Sequence, residues 1–460
     1  MTLKTKPWKH KQAAIDFAAA RRGTLFHMGM GTGKTLCAIA KAADKKLVVV
    51  VCPLSVIPVW TSEFEAHADY PYRLLSLTKG SCRKKGETVR DFVRDAPDGV
   101  TSVVVVNYES AWRPGLKEVF LDIGWDLVIA DESHRIKSPG SAVSKFFHRL
   151  CGFARERLLL TGTPMPHSPL DIYSQAKFLD PSIFGTSFLK FRARYAIMGG
   201  YAVNGRAVQV IGYQNQEEMA RRMEGVTYTA KAADVLDLPP ATFSQVYYTL
   251  EKDERRIYDD LKSDLVAGIN DGFITAGNAL VKLLRLQQIA HGCSKTDDDK
   301  IVRLGRSRAK ALKEVLEGIG DEPVAVVCLF RSDIEDVRWA VDELNKEGGK
   351  KRTVVELSGS KKDIQGKWKE EGDVAAVQIR AGGLGIDLTK ARYCVLYGIG
   401  FSLGDYEQVL ARVHRPGQER PVTYVQVVGH DTIDEKVYKA LRDKKDVVLS
   451  VLDHLDVVVA

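Results

Sequence analysis

The sequence predicts an α/β fold: two parallel-sheet lobes in tandem, with mainly helical insertions between them. Three observations carry that prediction. Short, predominantly apolar runs without polar alternation recur between helix-like stretches in two separate series. The segment separating the two series is polar and helix-favouring. A chain of 460 residues also exceeds what one hydrophobic core serves.

The first series is GTLF (23 to 26), LVVVVC (47 to 52), VVVV (103 to 106), DLVIA (126 to 130) and RLLL (157 to 160). Continuous rather than alternating apolarity marks strands covered on both faces, as in a parallel sheet flanked by helices. The second series is PVAVVCLF (323 to 330), TVVEL (353 to 357), VAAVQI (374 to 379), YCVLYG (393 to 398) and VTYVQVVG (422 to 429). Residues 165 to 300 differ. YAVNGRAVQVIGY centres on Asn204-Gly205, a two-residue hairpin signal. EKDERRIYDDLKSDLVAGI and NALVKLLRLQQIAHG read as helices, and LDLPP (236 to 240) ends a segment because proline restricts itself and its predecessor.

Composition sets limits on function. Hydrophobic residues at 45% and charged residues at 27% exclude a disordered chain. A net charge of +8 favours an anionic partner, while the basic clusters at 78 to 90, 348 to 352 and 359 to 369, each taken alone, read as solvated loops. Seven dispersed cysteines without a C-x-x-C argue against zinc and a disulfide framework, and read as buried thiols in a reducing compartment. No apolar run reaches the roughly 18 residues that span a bilayer, so no membrane association and a cytoplasmic location are expected.

The stretch LFHMGMGTGKT (25 to 35) nearly matches a phosphate-binding loop, but Met28 stands where the usual pattern has its first glycine. It follows a strand candidate and precedes a helical segment, as such a loop requires. Gly29, Gly31 and Gly33, with Thr32 between them, let backbone N–H groups turn inward around a phosphate at a helix N-terminus. Lys34 is expected to neutralise the β- and γ-phosphates and Thr35 to ligate Mg²⁺. Taken alone, the stretch could be a plain glycine turn.

DLVIADESH (126 to 134) runs a strand into Asp131-Glu132, placing both carboxylates at a strand's carboxyl end, where open α/β sheets bind ligands. Asp131 suits Mg²⁺ held through water, and Glu132 suits orienting or deprotonating the attacking water. RLLLTGTP (157 to 164) delivers Thr161, Gly162 and Thr163 to the same edge. DYEQVLARVHRPGQ (405 to 418) reads as one helix, capped by Asp405 and stopped at Pro416-Gly417. Gln408, Arg412 and Arg415 then share a face, as an exposed charged stripe or as arginine fingers for a γ-phosphate.

In that order, MGTGKT, CPLSVIPVWTSEF (52 to 64), DESHRIKS (131 to 138), LLLTGTPMPHS (158 to 168), RAGGLGIDLTKA (380 to 391) and QVLARVHRPGQ (408 to 418) resemble the motifs of superfamily-two helicase-like ATPases. The match is most similar to the Swi/Snf family of double-stranded DNA translocases, and covers nearly the whole chain. The resemblance implies two RecA-like lobes with ATP and Mg²⁺ between them, and sequence-independent contact with the duplex backbone. It implies an adenine-reading role for Gln12, and DNA contact or coupling at Pro53, Ser55, Asn107, Tyr108, Arg380, Gly382 and Gly383. Departures from the pattern are Met28-Gly29 in place of Asp-Glu, Ala411 in place of Asp or Gly, Asp387 in place of Asn, and Thr229 in place of an Arg.

The expected organisation is an ATP-binding lobe over 1–165, an insertion and return over 166–235, a helical insertion and linker over 236–303, and a helicase C-terminal lobe over 304–460. A minimal motor without accessory domains is implied, resembling compact bacterial and phage members of the family. The expected function is a DNA-dependent ATPase that translocates on duplex DNA in replication, recombination or repair. Two alternatives remain open from the residues: a strand-separating or annealing helicase, and a non-catalytic DNA-binding scaffold.

Overall fold

A computed structural model describes residues 3–166, 168–203, 206–270, 284–295, 300–358, 365–378, 386–400, 402–439 and 441. The described residues divide into two compact units that meet in sequence between Asp237 and Leu238, inside LDLPP.

The first unit contains β1 (Gly23–Met28), β2 (Leu47–Cys52), β3 (Tyr72–Leu77), β4 (Thr101–Asn107), β5 (Trp125–Asp131), β6 (Ala154–Thr161), β7 (Ala196–Val203), β8 (Arg206–Tyr213) and β9 (Thr227–Ala230). Seven of these form one sheet in the order β3-β4-β2-β5-β6-β1-β9, with every neighbour parallel. β2 shows why. Val49 sits between Val104 of β4 and Val128 of β5, and Val48 to Val51 are fully buried, so both faces are covered by helices. β-Branched side chains with few rotamers suit that environment. The helices α1 (Lys9–Ala19), α2 (Lys34–Ala42) and α3 (Ile57–His67) pack Ala14, Ala18, Ile39, Trp60 and Phe64 into this core. β7 and β8 pair antiparallel as the expected hairpin, whose Asn204-Gly205 lies outside the described residues.

The second unit has β10 (Ala241–Tyr248), the short antiparallel pair β11 (Cys293–Lys295) and β12 (Ile301–Arg303), then β13 (Val324–Cys328), β14 (Val354–Leu357), β15 (Val374–Gln378), β16 (Tyr393–Leu396) and β17 (Val422–Gly429). Its main sheet runs β10-β17-β16-β13-β15-β14, again wholly parallel. The fold class is therefore the expected one, two parallel α/β units in tandem.

Three strands of the two sheets were not expected. β3, β9 and β10 each lie at a sheet edge or next to one side only, and β10 falls in the stretch expected to be helical insertion and linker. Its residues ATFSQVYY are almost all exposed, so it carries no continuous apolar run. The basic stretch 78 to 90, read as a loop, enters a helix (Cys82–Arg94) capped by the Ser81 side chain, and Lys85 is buried with its ammonium on Ser110 Oγ. Five cysteines are buried as expected, but Cys82 and Cys151 are half-buried.

Candidate active site

The parallel sheet of the first unit sends the carboxyl ends of β1, β5 and β6 to one edge. β1 ends at Met28, whose side chain is fully buried in the core and whose carbonyl accepts a 2.8 Å hydrogen bond from Lys34 Nζ. Position 28 is thus the last residue of a strand, where a glycine has no work to do. Gly29 does need to be glycine: an added Cβ would lie 2.9 Å from the Ala232 nitrogen. Its N–H, however, donates to Ala230 O at 2.9 Å and does not face a phosphate, contrary to expectation. The cause is β9, which extends the sheet past β1 and takes that donor.

The turn proper is made by Gly31 and Gly33, at φ 76° and 90°, the left-handed region that glycine enters without steric cost. Buried Thr32 closes it by donating from Oγ1 to Gly29 O at 2.7 Å. Gly33 caps α2, which begins at Lys34, so the N–H groups of Lys34 and Thr35 lie in the first turn without intrahelical partners. That is an anion site by construction. Burial pushes the Lys34 ammonium below its usual pKa, while the charges of Glu132 and Asp131 pull it back up.

At the end of β5, Asp131 is buried and held by two side chains. Trp60 Nε1 donates to its Oδ2 at 3.0 Å, and the Tyr108 hydroxyl donates to its backbone carbonyl at 2.7 Å. Burial, and next the Glu132 charge, raise the Asp131 carboxyl to about 7, against the Trp60 hydrogen bond and the Lys34 charge, which lower it. Glu132 is half-buried and adopts φ 56°, ψ 54°, a left-handed conformation that costs a non-glycine residue of order 1 kcal/mol or more. Its Oε2 lies 3.4 Å from His134 Nδ1, which in turn lies 3.4 Å from Thr161 Oγ1.

β6 delivers Thr161 to this edge as expected, with Thr163 N donating to Thr161 Oγ1 at 3.1 Å. One residue that the sequence reading missed joins the two turns. Gln175 is fully buried; its Oε1 accepts from Ser133 Oγ at 2.8 Å and its Nε2 donates to Pro164 O at 2.6 Å. Trp60 was missed likewise. Trp60 lies within CPLSVIPVWTSEF, where nothing in the sequence points its indole to Asp131, and Gln175 lies in none of the motifs.

Beside the loop lies a cavity of about 760 Å³, lined among others by Trp8, His10, Ala13, Tyr228, Thr229 and Asp234. His10 Nε2 must be the protonated ring nitrogen, because it lies 2.9 Å from the carbonyl of Thr32. Through this contact the cavity adjoins the phosphate loop. Gln12 does not line it: the side chain is exposed on α1 and its Nε2 donates to Asp16 Oδ1 at 2.8 Å.

The residues expected at DNA divide into three groups. Tyr108 is buried with its hydroxyl on Asp131, so its side chain supports β5 and presents no surface to a duplex. Pro53 is buried, and Asn107 is buried with Nδ2 donating to Glu109 Oε2 at 2.9 Å. Ser55 is half-buried in a short 3₁₀ turn, Leu54–Val56. Arg380, Gly382 and Gly383 lie outside the described residues.

In the second unit the helix Leu403–Val413 carries Gln408 and Arg412, both half-buried. Two expectations fail here. The cap is Ser402, whose side chain accepts from Asp405 N, so Asp405 sits three residues inside the helix. The helix also ends at Val413, so Arg415 is not on its face. The reason is local: Pro416 disfavours helical geometry at Arg415, and Arg415-Pro416-Gly417-Gln418 closes as a turn with Gln418 N on Arg415 O at 3.0 Å and Gly417 at φ 101°. Arg412 instead reaches the segment that follows Asp387, with its carbonyl accepting from Leu388 N at 3.1 Å.

Among the described residues no helix is long and apolar enough to cross a membrane. A family model of the SNF2-related domain matches residues 12–295, and one of the helicase conserved C-terminal domain matches residues 307–417. The chain is 24% identical over 444 residues to an uncharacterized ATP-dependent helicase of Mycoplasma genitalium, covering 92% of this chain and 40% of that protein. It is 25% identical to a zebrafish chromodomain-helicase-DNA-binding protein 1-like, covering 91% of this chain and 41% of that protein. The chain thus spans about two fifths of these relatives. Against putative protein p41 of a phage of an aphid secondary endosymbiont, 23% identity extends over 96% of this chain and 97% of p41. Among solved structures, the SWI2/SNF2 ATPase core of Sulfolobus solfataricus in complex with double-stranded DNA is similar over 97% of this chain and 93% of that chain, with a TM-score of 0.44 and 21% identity. With a family model that matches well over half of its residues, the chain belongs to the SNF2-related family.

Proposed function

We propose that the chain is an ATPase stimulated by double-stranded DNA, which couples hydrolysis to movement along the duplex. The observation that carries this reading is the convergence, at one edge of the first sheet, of a helix N-terminus, Lys34, Asp131 and Glu132, with Lys34 in the electrostatic field of both carboxylates. A phosphate anion satisfies the open N–H groups and the ammonium together. Lys34, released from the Met28 and Gly29 carbonyls, turns to the β- and γ-phosphates. The Thr35 hydroxyl and the Asp131 carboxylate are hard oxygen donors and fit Mg²⁺. Bound there, Mg²⁺ would supply neutralisation of phosphate charge. Glu132 orients and deprotonates the attacking water, and Arg412 and Arg415 neutralise charge on the γ-phosphate in the transition state.

The base of the nucleotide takes the cavity beside Trp8 and His10, which adjoins the phosphate loop. Family membership and the relatives' names support ATP and DNA as substrate and partner, and likeness to p41 along its whole length supports a bacterial or phage-infected cytoplasm as the setting. The test of movement is displacement of a third strand from a DNA triplex. ATP-dependent release of the third strand with the duplex left intact is expected; opening of the duplex instead would replace translocation by strand separation.

A further inference from the structure

We propose that Gln418 is a positioning residue for Arg415, acting through the turn that both residues close. The inference rests on the reading that Arg415 serves ATP hydrolysis, and it names what sets that arginine in place.

The RPGQ turn is short and strongly determined. Proline pre-sets its second position, glycine at φ 101° occupies its third, and Gln418 N closes it on Arg415 O at 3.0 Å. Such a turn fixes Arg415 only relative to Gln418. What fixes the turn relative to the unit is the Gln418 side chain, which is 6% exposed. Its Nε2 lies 2.9 Å from Ala391 O, 3.1 Å from Thr389 O and 3.3 Å from Val413 O. Its Oε1 accepts from Arg420 N at 3.2 Å.

Those carbonyls belong to two separate stretches of chain. Val413 is the last residue of the arginine-bearing helix, while Thr389 and Ala391 follow the segment 386–388. That same segment meets Arg412 twice: Leu388 N donates to Arg412 O at 3.1 Å, and Arg412 Nη1 donates to Ile386 O at 3.5 Å. One amide therefore ties the helix end, the turn and the neighbouring segment into a single body. Asp387, at its centre, accepts from Thr389 N at 3.0 Å and Thr389 Oγ1 at 2.7 Å, and lies 3.4 Å from Lys369.

An amide is suited to this place because it offers two donors to the carbonyls and one acceptor to a backbone N–H. Leucine offers neither and withdraws the donor from the buried carbonyls of Ala391 and Val413. Alanine at Gly417 attacks the same turn from outside: its methyl group would meet no atom within 4 Å, so it acts through the left-handed backbone alone.

The test is a double-mutant cycle on DNA-stimulated single-turnover hydrolysis, with the affinity for a fluorescent ATP analogue measured in parallel. Gln418→Leu and, as the variant safer for folding, Gly417→Ala are each made alone and with Arg415→Ala. The expected result is a rate loss of about tenfold or more for each single substitution, nucleotide affinity within about twofold of wild type, and less than about twofold further loss once Arg415 is alanine. Losses that multiply in the Arg415→Ala background would overturn the proposal while leaving the role of Arg415 standing. An Arg415→Ala protein with unchanged hydrolysis would remove that role, and the proposal with it.

Discussion

The indole Nε1 of Trp60 and the carboxylate Oδ2 of Asp131 lie 3.0 Å apart in the interior of the first unit. α3 thereby supplies a side-chain hydrogen bond to a carboxylate that burial has pushed up to about 7. Because the indole N–H favours the ionised form, Trp60→Phe raises that value further. Mg²⁺-dependent nucleotide binding, followed against pH, should therefore show an acidic limb near pH 7 in the wild type. In Trp60→Phe the limb should move up by about one unit, the worth of one hydrogen bond to a charged group. An unmoved limb would separate Asp131 from the titration.

The same raised value has a consequence for stability. A carboxyl whose folded pKa lies above its unfolded one stabilises the fold most at pH values below the unfolded pKa, and that contribution is lost as pH rises through the folded pKa. The cost of holding Asp131 ionised is therefore full above about pH 7. Asp131→Asn should denature at higher temperature than wild type at pH 8, with the gap closing as pH falls towards 4. A gap independent of pH would contradict the assignment.

Much of this site was legible from the sequence, and the residues that were not share a physical cause. Lys34, Thr35, Asp131 and Glu132 sit where a continuous apolar run gives way to a turn, so the strand itself points to them. The unread strands are peripheral: β3 is mostly half-exposed, β10 is almost wholly exposed, and β9 is four residues with two threonines. A sheet edge does not need apolar residues on both faces, which removes the signal. The periodicity of 405–418 points Arg415 to a helical face, but it continues past Val413, where the helix ends ahead of Pro416. Trp60 and Gln175 act on residues distant in sequence, and Gln418 joins its neighbour Arg415 to the distant Thr389 and Ala391; only folding brings those distant partners to them.

Tyr108 offers a direct contrast between a motif position and its side chain. With its hydroxyl 2.7 Å from Asp131 O and its ring buried, Tyr108→Phe should cost about 1–2 kcal/mol in chemical denaturation. It should leave the salt dependence of DNA binding unchanged, since no phosphate contact is removed. A shallower salt slope would return Tyr108 to the DNA surface.

Gly29 is constrained by packing and not by a phosphate. Gly29→Ala sets a methyl group against the backbone of Ala232, and should destabilise the first unit by about 1–3 kcal/mol, lowering Tm by several degrees. Because the Gly29 N–H is already spent on Ala230, ATP affinity measured well below Tm should change by less than about threefold. A selective loss of affinity at unchanged Tm would mean that the loop opens at Gly29 to receive nucleotide.

Steady-state ATP turnover with and without duplex DNA, in wild type and in Glu132→Gln, tests the central claim most directly. Stimulation by duplex that fades as salt rises is expected in the wild type. Glu132→Gln should still bind ATP yet lose turnover by at least about 100-fold. Wild-type turnover indifferent to duplex, or a Glu132→Gln protein that hydrolyses ATP at the wild-type rate, would contradict the account.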